Sequence, residues 1–184
     1  MNTAGSVGSH ESLRLFCALR LPEDVLDGLG EWQERHVPVG RPVSRANLHV
    51  TLAFLGHRPS TELSGIEEAA RDAAAAARPI LFEPVGYRET RSVGMLVMRD
   101  EGDAATALAD DLHGRLEALG VYRREQRAWL PHLTVVRFRE RPRLAPPLPE
   151  LGPFSPSDAA VYLSRLRSSG AQYEVVQSFA LGGN

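Results

Sequence analysis

Lysine is absent from this chain: all 21 basic residues are arginine, set against 23 acidic ones for a formal net charge of −2. That balance excludes a surface that gathers nucleic acid by bulk electrostatics. It leaves room for a local arginine cluster, since the planar guanidinium fork suits phosphate. GC-rich coding bias accounts for most of this usage, so by itself it carries little weight. Cysteine is nearly absent too. Cys17 stands alone, so no intrachain disulfide forms and nothing points to an oxidising compartment. In an apolar stretch it reads as a packing residue rather than a nucleophile. No apolar run is long enough to span a bilayer, because Arg14 and Arg20 interrupt 13–21. Residues 1–12 are small and polar, with no basic segment ahead of an apolar one. The expectation is a short disordered leader over 1–12 and a single domain over 13–184, cytoplasmic and monomeric. Several motifs are missing as well. There is no Gly-x-x-x-x-Gly-Lys loop, no Gly-x-Ser-x-Gly elbow and no His-x-x-x-His pair, which sets aside a Walker-type nucleotide site, a serine-hydrolase elbow and a helical metal site. His10, His36, His57 and His113 fall in the leader, near a helix end, in a turn and on a helix, and are read as solvated or capping side chains. No metal and no cofactor is expected.

The chain does have the material for a core. By size scaling, a domain of this length buries roughly 70% of the surface of its unfolded chain. Residues 13–21 read as a buried strand. Pro22 opens a helix with Glu23 and Asp24 in its first turn, and Val25, Leu26, Leu29 and Trp32 line one face to about His36. A strand is expected over 48–55, punctuation over 56–60, and a second helix over 61–78 with Ser64 and Glu67 spaced as a cap. The alanine run 73–77 needs no explanation beyond helix propensity. Strands over 80–89 and 93–99 flank a turn at 90–92. A third helix over 103–119 puts Leu108, Leu112, Leu116 and Leu119 on one face and stops at Gly120. A strand follows over 131–138. The proline-rich stretch 141–153 cannot continue a sheet and reads as a plain loop rather than a ligand for an aromatic groove. Strands over 159–165 and 173–181 close the chain around a turn at 168–171. Mixed helices and hairpins in this order indicate an α+β fold.

Within that order one pattern repeats. Residues 47–55, Asn-Leu-His-Val-Thr-Leu-Ala-Phe-Leu, align without gaps on 130–138, Leu-Pro-His-Leu-Thr-Val-Val-Arg-Phe, at histidine and threonine. Strand alternation puts His49 and Thr51 on one face, and His132 and Thr134 likewise. It puts Leu48, Val50, Leu52 and Phe54 on the opposite, apolar face. One His-x-Thr means little. Two copies on matching strands suggest a two-lobed body whose halves face each other, with two imidazoles and two hydroxyls converging on one cleft. A cyclic phosphodiester needs such a set: one group takes a proton from water, another protonates the departing ribose oxygen, and hydroxyls hold the non-bridging oxygens. Two histidines, with a reference pKa of about 6.5, can hold opposite protonation states near neutrality. The five-membered ring is strained, so no divalent metal is needed in principle. Arg137 is a further candidate, but strict alternation places it opposite His132, and only a bulge or twist would bring it to the phosphate.

These residues resemble a known family. His49-Val-Thr51-Leu and His132-Leu-Thr134-Val are similar to the paired HxTx motifs of the two-histidine (2H) phosphoesterases. The resemblance is closest to the RNA 2′,3′-cyclic phosphodiesterases, also called LigT-like 2′-5′ RNA ligases. Residues 14–19 with Pro22, 45–56, 131–137, 162–164 and 170–173 resemble that family's first strand, its two motifs and its last hairpin. The resemblance implies a bilobal fold of two pseudo-symmetric, antiparallel-rich sheets, with helices outside and a central cleft. It implies His49 as proton donor to the leaving 3′ oxygen, His132 as the base that activates water, and a 2′-phosphate product. Thr51, Thr134 and Arg137 are implied as phosphate contacts. RNA ends or small cyclic nucleotides are the implied substrates; ATP-independent 2′-5′ ligation and non-catalytic binding of RNA ends are the alternatives. Arg137 is followed by Phe138 where many relatives carry two basic residues, and the turn before Tyr173 lacks the basic residues that some have.

Overall fold

The computed structural model describes residues 11–182, so His10 and most of the expected leader lie outside the described residues. Among the described residues, eight strands and three helices follow the expected order with one addition. The strands are β1 (Ser12–Arg20), β2 (Arg41–Pro42), β3 (Val50–Pro59), β4 (Phe82–Glu89), β5 (Val93–Asp100), β6 (His132–Arg137), β7 (Asp158–Arg167) and β8 (Gly170–Phe179). The helices are α1 (Glu23–His36), α2 (Leu63–Ala75) and α3 (Ala104–Ala118). Two-residue β2 lay hidden in what reads as a Pro- and Gly-containing loop. The last hairpin is also longer than expected, its arms closing on the turn at Ser168 and Ser169.

All neighbouring strands pair antiparallel, in the order β4-β5-β6-β3-β1-β7-β8, with β2 beside β6. The ladder between β3 and β6 consists of one pair, Val50↔Leu133. The two lobes are therefore half-sheets, β4-β5-β6-β2 and β3-β1-β7-β8, joined at a single point. Val50 and Leu133 are also each other's counterparts in the sequence repeat. A two-fold axis through an antiparallel pair makes each residue face its own mate, as in any isologous contact. The duplicated motif and the strand junction thus describe one pseudo-symmetry.

One face of the sheet carries the helices and the main core, where Leu15, Leu19, Leu29, Ile66, Leu112, Leu116, Leu133 and Val135 are fully buried. Helix α1 brings Val25, Leu29, Trp32 and Gln33 inward, while α2 and α3 pack through small residues such as Ala70, Ala74, Ala105 and Ala109. Cys17 lies in this core, and burial pushes its thiol up to about 12, so packing is its role. The helix cap expected from Ser64 does not form; α2 has no side-chain cap, and a 3-10 turn at Ser60–Glu62 leads into it instead. The capping carboxylate is on α3, where Asp100 accepts from the backbone N–H groups of Ala105 and Thr106 at 3.0 and 2.7 Å. The proline-rich stretch is a loop held down along its length. Glu89 accepts from the N–H groups of Arg143 and Leu144 and from Tyr87, and Trp32 Nε1 donates to the Pro147 carbonyl at 2.7 Å.

Bulges set which side chains reach the other face. In β3, Cys17 pairs with Ala53 but Ala18 pairs with Thr51, so Leu52 is an extra residue. In β6, Gly94 pairs with Val136 but Met95 pairs with Thr134, so Val135 is extra. Leu52 and Val135 are again repeat-mates, and each inverts the strand's parity beyond it, in β3 until a second extra residue, Leu55, restores it. Each is also tied to a helix. His113 of α3 donates from Nε2 to the Leu52 carbonyl at 2.7 Å, and Gln33 of α1 donates to the Val135 carbonyl at 2.7 Å and to Val43 at 3.0 Å. His113 is thus a buried structural donor, not the solvated or capping residue expected. The remaining histidines differ less: His57 lies on the exposed end of β3, which runs through the expected turn to Pro59, and His36 sits beside Trp32.

Candidate active site

The open face of the sheet forms a cleft of about 660 Å³ with His49, Thr51, His132, Thr134 and Arg137 in its wall. All five candidates are brought together. One step to either side of the Val50↔Leu133 junction stand His49 and Thr51 on one strand, and His132 and Thr134 on the other. Arg137 joins them because the Val135 bulge returns it to the histidine face, the one circumstance in which alternation allowed it. The same device corrects the expectation for Phe54. The Leu52 bulge turns it out of the core, and the residue is 50% exposed in the cleft wall. Phe54 is the repeat-mate of Arg137, so the two halves offer different chemistry at equivalent places.

The histidines are held alike. Nδ1 of His49 lies 2.7 Å from the Asn47 carbonyl, and Nδ1 of His132 lies 2.8 Å from the Leu130 carbonyl, each two residues back along the chain. A carbonyl accepts only, so each Nδ1 carries its proton and Nε2 is the nitrogen left for chemistry. His49 Nε2 is 3.0 Å from Thr51 Oγ1. For His132, Nε2 has no hydrogen bond among the described residues. Asn47 reaches further, donating from Nδ2 to the Ala171 carbonyl at 2.9 Å and so linking the His49 carbonyl partner to the last hairpin. The preceding 3-10 turn, Arg45–Asn47, is anchored to α1 by ion pairs of Arg45 with Glu23 and Asp27.

The surroundings of the two rings differ. His49 rests on a small aromatic cluster, with the Phe16 ring at 4.9 Å and Tyr173 edge-on at 5.4 Å; Phe16 itself stacks on Tyr162 at 4.8 Å. Burial lowers the His49 pKa to about 4, opposed by the bond to the Asn47 carbonyl and assisted by the nearby Arg137 guanidinium. His49 is therefore neutral at pH 7 in the protein's own field.

Electrostatics around the cleft run against the chain as a whole. Arg14, Arg41 and Arg137 line it, and among the described residues no aspartate or glutamate does. The net charge of −2 thus conceals a local concentration of arginine around two histidines and two threonines. Among the described residues no three His, Cys, Asp or Glu side chains cluster as a metal site, and no helix is long and apolar enough to cross a membrane. Three contributors were missed in the sequence, Arg41 on unrecognised β2 and the two helix residues that tie the bulges, Gln33 and His113. Gln33 and His113 had left a signal, as polar residues four places after Leu29 and Ala109 on otherwise apolar helix faces.

Known proteins resemble this chain in sequence and fold. Residues 21–170 match the model of the 2′-5′ RNA ligase superfamily. The chain is 26% identical over 173 residues to the RNA 2′,3′-cyclic phosphodiesterase of Escherichia coli strain K12, covering 93% of this chain and 98% of that one. It is 32% identical over 186 residues to the protein of the same name from Thermus thermophilus, covering 93% and 91%. The structure of E. coli LigT complexed with 3′-AMP superimposes with a TM-score of 0.76 at 25% identity, covering 93% of this chain and 98% of that one. A Thermus thermophilus structure gives 0.78 at 30%, covering 93% and 99%. With the family model matched from just before α1 to the start of β8 and relatives aligned nearly end to end, the chain belongs to the 2′-5′ RNA ligase superfamily.

Proposed function

We propose that this chain is an RNA 2′,3′-cyclic phosphodiesterase that opens the ring with two histidines and leaves a 2′-phosphate. The observation that carries the reading is the matched pair of imidazoles, each with Nδ1 on a backbone carbonyl so that Nε2 is the nitrogen left for chemistry, in a cleft that holds arginine and, among the described residues, no carboxylate. His132 takes a proton from water as its oxygen bonds to phosphorus. The bond from phosphorus to the 3′ oxygen breaks, and His49 returns a proton to that oxygen. Thr51, Thr134 and Arg137 donate to the non-bridging oxygens, where charge builds in the transition state. The substrate is an RNA end, and the protein works in the cytoplasm as a monomer. With an RNA ending in a 2′,3′-cyclic phosphate and EDTA present, the expected product is the 2′-phosphomonoester. A 3′-phosphate product, or loss of turnover with EDTA, would sink the mechanism.

A donor must be protonated, and His49 is held near 4, chiefly by burial, with the Arg137 charge adding to the effect. A bound phosphodiester brings the opposite charge to the same place and draws that pKa upward. Activity that needs protonated His49 falls as pH rises through its pKa. The value of kcat/KM follows the free protein and kcat the complex. The descending limb of kcat should therefore lie at least about one pH unit above that of kcat/KM. Coincident limbs in the two profiles would place the phosphate away from His49.

A further inference from the structure

Chemistry at one phosphorus leaves two arginines of the cleft unused, Arg14 and Arg41, and Arg41 is engaged with the Ser169 carbonyl at 2.7 Å. Arg14 stands on β1 two residues before Phe16, the residue whose ring lies against His49. Such a step along a strand is roughly 7 Å, comparable with the separation of neighbouring phosphates in an extended RNA strand. The guanidinium is held from two sides. Nη1 donates to Oγ of the buried Ser164 at 2.7 Å, and the group lies 4.8 Å over the Phe54 ring. It has no carboxylate partner among the described residues, whereas Arg20, Arg58, Arg115 and Arg165 each have one within 3.2 Å. Its remaining N–H groups, in the cleft wall, have no hydrogen-bond partner among the described residues.

The broken symmetry indicates what this cation serves. At the place where the second half puts Arg137 beside the histidines, the first half puts Phe54. The positive charge of the first half is displaced outward onto β1 and rests on that ring. A guanidinium fixed by a hydroxyl and an aromatic face keeps its fork oriented, so little rotamer freedom is lost when an anion arrives. We propose that Arg14, set by Ser164 and Phe54, is a subsite for the phosphodiester that joins the terminal nucleotide to its 5′ neighbour. The chain then prefers oligonucleotide ends to a lone nucleoside 2′,3′-cyclic phosphate. This inference rests on the phosphodiesterase reading above.

Three substrates test it: a nucleoside 2′,3′-cyclic phosphate, a dinucleotide with the same cyclic end, and that dinucleotide with an uncharged methylphosphonate linkage. For the unaltered chain, kcat/KM on the charged dinucleotide should exceed the other two by about tenfold or more, the scale of one charge-assisted hydrogen bond. In Arg14→Gln the three values should converge to within about threefold, with Ser164→Ala in between. Added salt should shrink the preference. Equal turnover of all three by the unaltered chain would overturn the subsite and leave the phosphodiesterase reading intact. An Arg14→Gln loss of the same factor on every substrate would also overturn it, because Arg14 would then serve the cyclic phosphate or the fold. No turnover of any substrate by the unaltered chain would overturn the phosphodiesterase reading and the subsite with it.

Discussion

Replacing His49 or His132 with alanine is expected to lower turnover of a 2′,3′-cyclic phosphate end by about 10²–10⁴-fold each, the usual contribution of one positioned acid or base. The two losses should differ in kind. Each substitution removes a different limb of the pH–rate profile, the descending limb in His49→Ala and the ascending limb in His132→Ala. The distinction follows from the surroundings: His49 sits on the aromatic cluster of Phe16, Tyr162 and Tyr173, and its partner does not. Loss of fold is not expected to confuse the result, since each ring is half-buried at the cleft surface and bonds only to a backbone carbonyl two residues away and, for His49, to Thr51. Thermal unfolding of the variants checks that point directly. Substantial activity in either alanine variant, or the same limb missing from both, would refute the division of roles between the two rings.

Much of this site is legible in the sequence because its signal is doubled. A single His-x-Thr on a strand is ordinary; the second copy, with the same offset between Val50 and Leu133 as between the histidines, carries the two-fold relation that the β3–β6 junction displays. The order of elements along the chain and the mixed architecture are legible from the alternation of hairpins and helices. What alternation cannot show is a change of parity inside a strand. Leu52 and Val135 are apolar and buried whether or not they are extra residues, so nothing in their type marks a bulge. For that reason alternation assigns Phe54 to the core and puts Arg137 on the wrong face unless a bulge intervenes. Short β2 escapes for a related reason: two residues of a Pro-containing segment have no periodicity, and only the partner strand makes them a strand.

The bulges lead to the second large effect, on Gln33. Gln33→Leu keeps the size and apolar fit of a residue only 6% exposed, but removes the donor shared by the Val135 and Val43 carbonyls. Val135 retains a bond from the Val43 N–H, and the Val43 carbonyl loses its donor. The expected cost is about 1–3 kcal/mol in denaturant unfolding, the range for one buried acceptor left unpaired. Activity should fall further than stability explains. If the bulge relaxes, Arg137 returns to the face opposite His132, since a one-residue shift exchanges the two faces of a strand. The rate should then drop about tenfold or more at temperatures where the variant is fully folded, the scale of one lost charge-assisted bond. Combining Gln33→Leu with Arg137→Ala separates the two effects. If Gln33 acts through the bulge, the double variant turns over no more slowly than Arg137→Ala alone, because residues in one network are not additive. Fully additive losses would show that Gln33 supports only the fold. The equivalent tie offers a control of opposite design: His113→Gln keeps a donor for the Leu52 carbonyl and should retain most stability, whereas His113→Leu removes it and should not. A site set by bulges is thus expected to be sensitive to two helix residues that never touch the substrate.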